Sequence, residues 1–238
     1  KLNDLEEIRL RIGAPVLFRC TGSDLYLGRQ GSLINSRQQA FICTSEIIKK
    51  TVMMMCNCSV YALEEEMQKG YLTLSGGHRA GFTGHTVIEA GRIKTLKQIS
   101  SINIRVARFI PGAAARILRY LFQGRQLQHT IIISPPRCGK TTLLRDIVAA
   151  ISNGFAEFSP VQVAVVDERS EIAGCRDGVP QMPVGHCTDV LDACPKAEGM
   201  MMLVRSMGPE VIATDEIGSL ADVAAIQEVI NAGIKLIA

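Results

Sequence analysis

The sequence contains no tryptophan, and aromatic residues make up only 5% of its 238 positions. Proteins that grip single-stranded nucleic acid by stacking need aromatic platforms interleaved with basic residues, and no such stripe is present. Concentrated charge is lacking as well. The 26 basic and 23 acidic residues are interspersed, for a net charge of +3, so no block of one sign marks a nucleic-acid footprint. No segment reaches the roughly 18 uninterrupted apolar residues of a membrane span, and no charged-then-apolar leader opens the chain; a cytoplasmic protein is expected. Internal repeats and low-complexity tracts are missing too. Eight cysteines are present, but they are scattered through a chain too long to need disulfide staples, so reduced thiols are expected. Cys56-Asn57-Cys58 is spaced too tightly for a zinc hairpin and has no matching Cys or His pair.

What is present suits two modest globular domains, with 47% apolar and 21% charged residues. The first part, residues 1–110, reads as a small α+β domain. Glu7 to Ile12 alternates polar and apolar residues before Gly13 and Pro15, as a half-buried strand does. Thr44 or Ser45 can cap a helix with Ile47, Ile48, Thr51, Val52 and Met55 on one face, and a second helix is expected near Tyr61 to Lys69. Gly76-Gly77, Gly81 and Ala90-Gly91 then punctuate strand-like runs, the signature of antiparallel hairpins. Pro111-Gly112 marks the boundary, and the Ala- and Leu-rich run after it is expected to open a helix. From residue 111 to 238 strands alternate with helices: Thr130–Ile133, Val161–Val166, Val211–Thr214 and Lys235–Ala238 are short apolar runs, with helical patterns at 142–151, 197–207 and 220–231. Such alternation predicts a mostly parallel sheet, its strands buried on both faces and its ligand chemistry at their carboxyl ends. The chain starts at Lys1 and stops inside an apolar strand pattern, so it reads as a piece of a longer protein.

The chemistry concentrates in three places. Ser134-Pro135-Pro136-Arg137-Cys138-Gly139-Lys140-Thr141, followed by Thr142, joins a strand to a helix in the manner of a phosphate-binding loop. Backbone N–H groups at a helix start suit an anion, Lys140 can reach the phosphates, and the Thr141 hydroxyl can hold Mg²⁺. Val211 to Thr214 runs into Asp215-Glu216, a buried strand ending in two carboxylates. Asp215 suits Mg²⁺ and Glu216 suits orientation of an attacking water, since phosphoryl transfer depends on positioning and charge stabilisation. The third place, Asp167-Glu168 with Glu171, admits two readings: a second set of carboxylates over the terminal phosphate, or a solvated helix cap.

The loop together with Leu143 to Asp146, Asp167 to Glu171, Gly185-His186, Asp189 to Ala197 and Arg205 to Gly218 resembles the stage III sporulation protein AA family. Leu5 to Arg9 and Ser101 to Arg105 extend the likeness into the first domain. Its wider relatives are the type II, type IV and pilus secretion ATPases. The resemblance implies a RecA-like core and a ring, expected to be hexameric, with ATP and Mg²⁺ as ligands and hydrolysis turning one domain against the other. It implies membrane-embedded partners in a sporulation channel between mother cell and forespore, with the protein peripheral to that membrane. It also assigns Asp215 and Glu216 as the pair ending the second motif, and Asp167, Glu168 and Glu171 as the acidic box. Arg105 and Arg205 match the family's arginines more loosely; an arginine of the first domain such as Arg105 could clamp phosphates across a subunit or domain boundary, the other reading of Arg105 being a surface arginine on a strand.

Ser134 departs from the loop pattern, which asks for glycine and its positive φ, so strain is expected there. A histidine-bearing segment found in secretion ATPases beyond the strand at Ala238 is missing, and His186 is either a helper in the site or an ordinary surface residue. Two other functions remain open at this stage: a RecA-like ATPase acting on single-stranded nucleic acid, and a weakly catalytic assembly module.

Overall fold

The computed structural model describes residues 4–56, 70–135 and 138–238, without the side chain of Arg92. The helix expected near Tyr61 to Lys69, Cys58 and the loop residues Pro136 and Arg137 therefore lie outside the described residues. The chain divides into two compact units, Lys1–Ala107 and Arg108–Ala238.

In the first unit seven strands form one antiparallel sheet: β1 (Leu5–Arg11), β2 (Leu17–Cys20), β3 (Ser23–Leu27), β4 (Leu33–Ile34), β5 (Tyr71–Thr73), β6 (Arg79–Glu89) and β7 (Arg92–Arg105), in the order β4-β3-β2-β1-β7-β6-β5. The long β6–β7 hairpin closes through Ala90-Gly91, both at positive φ (50° and 76°). A two-residue turn of this hand matches the natural twist of the strands. Helix α1 (Ser45–Met55) starts where the Thr44 hydroxyl accepts the Ile47 N–H at 3.4 Å. It buries Ile48 and Val52 against Leu10, Ala80, Phe82 and Ile102, and each such side chain removed from water contributes about 1.5–3 kcal/mol.

The second unit opens with turns rather than the expected helix. N–H groups of Ala115, Ile117 and Tyr120 reach back three residues, and a single 3₁₀ segment covers Leu118–Leu121. The buried Asp146 carboxylate accepts the N–H groups of Gly112 (3.2 Å) and Ala114 (2.7 Å) and anchors the start of the run. A small hairpin, β8 (Phe122–Gln123) with β9 (Gln126–Leu127), follows. The main sheet is parallel, built from β10 (Val163–Asp167), β11 (Thr188–Asp192), β12 (Val211–Thr214) and β13 (Lys235–Ile237) in the order β11-β10-β12-β13.

Helices α2 (Lys140–Asn153), α3 (Lys196–Ser206) and α4 (Leu220–Asn231) cover the sheet. Alternate strand residues face opposite layers. Val163, Val165, Val211 and Ala213 pack with Ile147, Val148 and Ile151 of α2, whereas Ala164, Val166 and Ile212 pack with Met200 and Leu203 of α3 and Ala225 and Val229 of α4. The α4 start is a full capping box, the Ser219 hydroxyl taking the Asp222 N–H and the Asp222 carboxylate taking the Ser219 N–H. α3 comes so close to β10 that a Cβ on Gly199 would stand 2.7 Å from Val166 Cγ1.

Two expectations change here. Residues 130–132 run beside β13 through a bridge at Thr130 and the bond from Ile132 N–H to Ala238 O at 2.6 Å, but they form no regular strand. Ile131 and Ile133 are 63% and 89% exposed, so this run is not buried on both faces; it lies at the edge of the sheet. Strand β11 was not foreseen. Among the described residues no helix is long and apolar enough to cross a membrane.

Candidate functional site

Parallel strands place all their carboxyl ends on one edge of the sheet. Along that edge stand, in sheet order, Asp192 after β11, Asp167-Glu168 after β10, Asp215-Glu216 after β12, then β13, then the Ser134 loop leaving the 130–132 run. Topology alone thus brings the loop and both acidic pairs to one edge, with a single strand between the loop and Asp215.

The loop enters α2 through Gly139 at φ 84°, a left-handed conformation that glycine adopts without strain. Nothing crowds a Cβ there, so backbone conformation, not space, is what glycine serves. Among the described residues no side chain caps this helix, and no acidic residue occupies its first turn, so its positive end suits an anion. Thr141 and Thr142 are half-buried in that turn and Cys138 is exposed. The Lys140 ammonium donates to the carbonyls of Ser134 (3.0 Å) and Pro135 (3.3 Å), drawing the lysine over the loop. Ser134 is not at positive φ, and its hydroxyl reaches the Pro135 carbonyl at 3.2 Å. The strain expected of serine at this position is therefore not found.

The acidic residues separate by environment. Asp167 is 0% exposed, and its carboxylate accepts three backbone N–H groups: Glu171 at 2.8 Å on one oxygen, Ile172 at 3.0 Å and Ala173 at 2.8 Å on the other. This carboxylate shapes the turn after β10 rather than facing a ligand. Arg145 of α2 clamps the same turn, donating to the carbonyls of Ile172 (2.5 Å), Glu171 (2.6 Å) and, at the start of the unit, Arg108 (3.1 Å). Burial pulls its pKa down while Asp167 and Glu171 oppose that. Glu216 is exposed and pairs with Arg169 at 3.3 Å.

Glu168 and Asp215 meet through a residue to which the sequence assigned no role. Lys196, first residue of α3 and 6% exposed, hydrogen-bonds Glu168 and stands 3.4 Å from Asp215 Oδ1. Burial works against its charge, but the two carboxylates prevail and raise its pKa. Asp215 is 8% exposed; burial raises its pKa, Lys196 opposes this, and Asp167 adds to it. Apart from its ion pair with Lys196, the Asp215 Oδ1 atom is buried and makes no hydrogen bond among the described residues. A buried carboxylate oxygen held only by a lysine, on the same sheet edge as a threonine-bearing loop, is the hard oxygen donor that Mg²⁺ prefers, so the residues present fit that ion.

Three other candidates belong to other elements. Arg105 is exposed at the last position of β7, in the first unit, opposite Glu7 and Arg79 in register. Arg205 is exposed in the last turn of α3. His186 donates its N–H to Asn153, the last residue of α2. Since α2 rises about 1.5 Å per residue from Lys140, that end is roughly 20 Å from the loop, and His186 is not part of the site.

A family model described as sporulation stage III, protein AA matches residues 1–238. The chain belongs to this family. Stage III sporulation protein AA of Bacillus subtilis (strain 168) is 46% identical over 234 residues, which is 98% of this chain and 72% of that protein. A more distant likeness, 30% identity over 143 residues, links 59% of the chain to 20% of Protein SEEDLING PLASTID DEVELOPMENT 1 of Arabidopsis thaliana. Among solved structures, the Legionella pneumophila ATPase DotB superposes with a TM-score of 0.60 at 14% identity over 99% of this chain and 61% of its own. The pilus retraction motor PilT, solved with bound ADP, gives 0.61 at 17% identity over 98% and 62%. The chain thus spans about three-fifths of these two structures, and at such identity the likeness is one of fold: a RecA-like core of the kind found in secretion and pilus ATPases.

Proposed function

We propose that this member of the family binds ATP with Mg²⁺ and hydrolyses it, as the motor of a secretion or channel complex between mother cell and forespore. In this reading it works as a homo-oligomeric ring, expected to be hexameric, peripheral to the membrane that carries its partners. The observation that carries the reading is the start of α2 at Gly139, without an acidic residue in its first turn, lying on the same sheet edge as the buried Asp215 carboxylate.

Each residue then has a task. Loop amides and the end of α2 receive the phosphates, and Lys140, already poised on the Ser134 and Pro135 carbonyls, adds a full positive charge. Thr141 and Asp215 would hold Mg²⁺, which when bound neutralises charge on the phosphate oxygens. Glu216 is exposed and orients the attacking water. Glu168 stays with Lys196, and Asp167, whose oxygens are taken by amides, holds the turn on which Glu168 sits. Arg105 is proposed as the phosphate clamp supplied by the first unit, because arginine keeps its charge and can grip two oxygens at once.

Calorimetric titration with Mg²⁺ and ATP tests the reading. Lys140→Ala should weaken binding by about a hundredfold, the loss of one buried charge-assisted contact. Equal affinity for the variant and the parent chain would remove the loop from the account.

A further inference from the structure

Lys196 is nine-tenths buried among acidic strand ends, yet nothing in the phosphate chemistry so far requires it. Its short bond goes to Glu168, on the turn after β10, while Asp215, just after β12, is paired more loosely through Oδ1 at 3.4 Å. Apart from that ion pair, Oδ1 is buried and makes no hydrogen bond among the described residues. Burying Asp215 beside the half-exposed Glu168 is costly unless a cation accompanies them, and here that cation belongs to the protein. The unequal sharing matters: the longer Asp215 contact gives way to a second cation more readily than the short hydrogen bond to Glu168.

We propose that Lys196 is the resident cation of this site and makes metal uptake depend on nucleotide. By neutralising Asp215 it keeps the acidic strand ends from taking a divalent ion by themselves; phosphates arriving on the α2 start supply the negative charge that then makes a metal favourable. The inference rests on the proposed nucleotide site and gives Lys196 a positioning role, acting through Asp215. A lysine ammonium already 3.4 Å from Asp215 Oδ1 would repel a divalent ion coming to the same carboxylate in a partly buried setting. Its removal should therefore strengthen binding of metal alone, the opposite of what loss of a merely structural residue does.

The test uses Mn²⁺ in place of Mg²⁺, with electron paramagnetic resonance reading free against bound ion in the 238-residue chain. In the parent chain Mn²⁺ should stay free until ADP is added. Lys196→Met should bind Mn²⁺ without nucleotide, with a Kd at least about tenfold tighter than the parent's, and Lys196→Arg should behave as the parent does. Should Lys196→Met fail to fold, the comparison moves to Glu168→Gln with and without Lys196→Met, where one carboxylate fewer beside the lysine relieves the imbalance and the same tenfold is expected. Equal nucleotide-free Mn²⁺ affinity with and without the lysine overturns the proposal, as does nucleotide-free binding by Lys196→Arg. A chain that takes up no ADP at any Mn²⁺ concentration overturns instead the nucleotide reading on which it rests.

Discussion

Replacing Asp167 by asparagine separates an anchor from a catalyst. The parent carboxylate accepts three backbone N–H groups, two on Oδ2 and one on Oδ1, with no exposure to solvent. Asparagine can keep an oxygen where Oδ2 stands, but its NH₂ then faces the Glu171 N–H, donor against donor. That loses one charge-assisted bond, worth about 1.5–3 kcal/mol, and reduces the other two to neutral strength. Arg145, buried beside the same turn, loses part of its compensating charge as well. The sum is a destabilisation of about 3 kcal/mol, which for a chain of this size lowers Tm by roughly 6–12 °C. Scanning calorimetry on Asp167→Asn, with Glu216→Gln as an exposed control expected to shift stability by less than about 0.5 kcal/mol, measures this directly. If Asp167→Asn melted with the parent chain yet lost ATP turnover, the carboxylate would be catalytic and the anchoring account wrong.

Glu216→Gln should bind ATP normally while phosphate release falls by about 10²–10⁴-fold, and undiminished release would move the water-orienting role to Glu168. Arg105→Lys should lower turnover far more than ATP affinity, and the chain should sediment as a larger species with a non-hydrolysable analogue than without; monomer in both states, with normal turnover of the variant, argues against clamp and ring together. The Asp222 carboxylate is raised by partial burial, but the Gly218 and Ser219 N–H groups, the Ser219 hydroxyl and, more weakly, Lys196 outweigh this and hold its pKa below 3.8. Its contribution to stability is therefore complete above 3.8 and fades as pH falls through the lowered value. Asp222→Asn should cost about 1 kcal/mol at neutral pH and flatten the acid limb of the stability curve below that point; superimposable acid limbs for variant and parent would show that the cap carries no such linkage.

Local chemistry was legible wherever it acts through neighbours in sequence. The Thr44 cap and the Ala90-Gly91 turn are set by residues within four positions of one another, and each stands where the pattern put it; the Ser219–Asp222 box is equally local. The run after Pro111-Gly112 misled because its Ala and Leu residues favour a helix locally, whereas its N–H groups bond three residues back as turns and its start is anchored by Asp146, more than thirty residues on. β11 escaped notice because Thr188–Asp192 has only two adjacent apolar residues, Val190 and Leu191, among polar ones, showing neither alternation nor an apolar run, and takes its strand form from pairing with β10. At the site, spacing identified the acidic residues but not the difference among them, since Asp167 and Glu168 are adjacent letters with opposite surroundings. Lys196 was invisible for the same reason: a lysine opening a helix looks solvated until tertiary structure closes carboxylates around it.

Gly199 gives that arrangement a mechanical limit. It lies one turn beyond Lys196 on α3, and a methyl group there would act as a wedge, 2.7 Å from Val166 Cγ1 and 3.2 Å from Cys194 Sγ. Ordinary contact would require the helix to lift from β10 by about 1 Å. Lys196 would be carried outward with it, opening the 3.4 Å gap to Asp215 while the flexible Glu168 side chain followed the ammonium. Gly199→Ala would thus work as a shim that uncouples one strand end from the other, altering the charge balance around the phosphate loop without touching any charged residue.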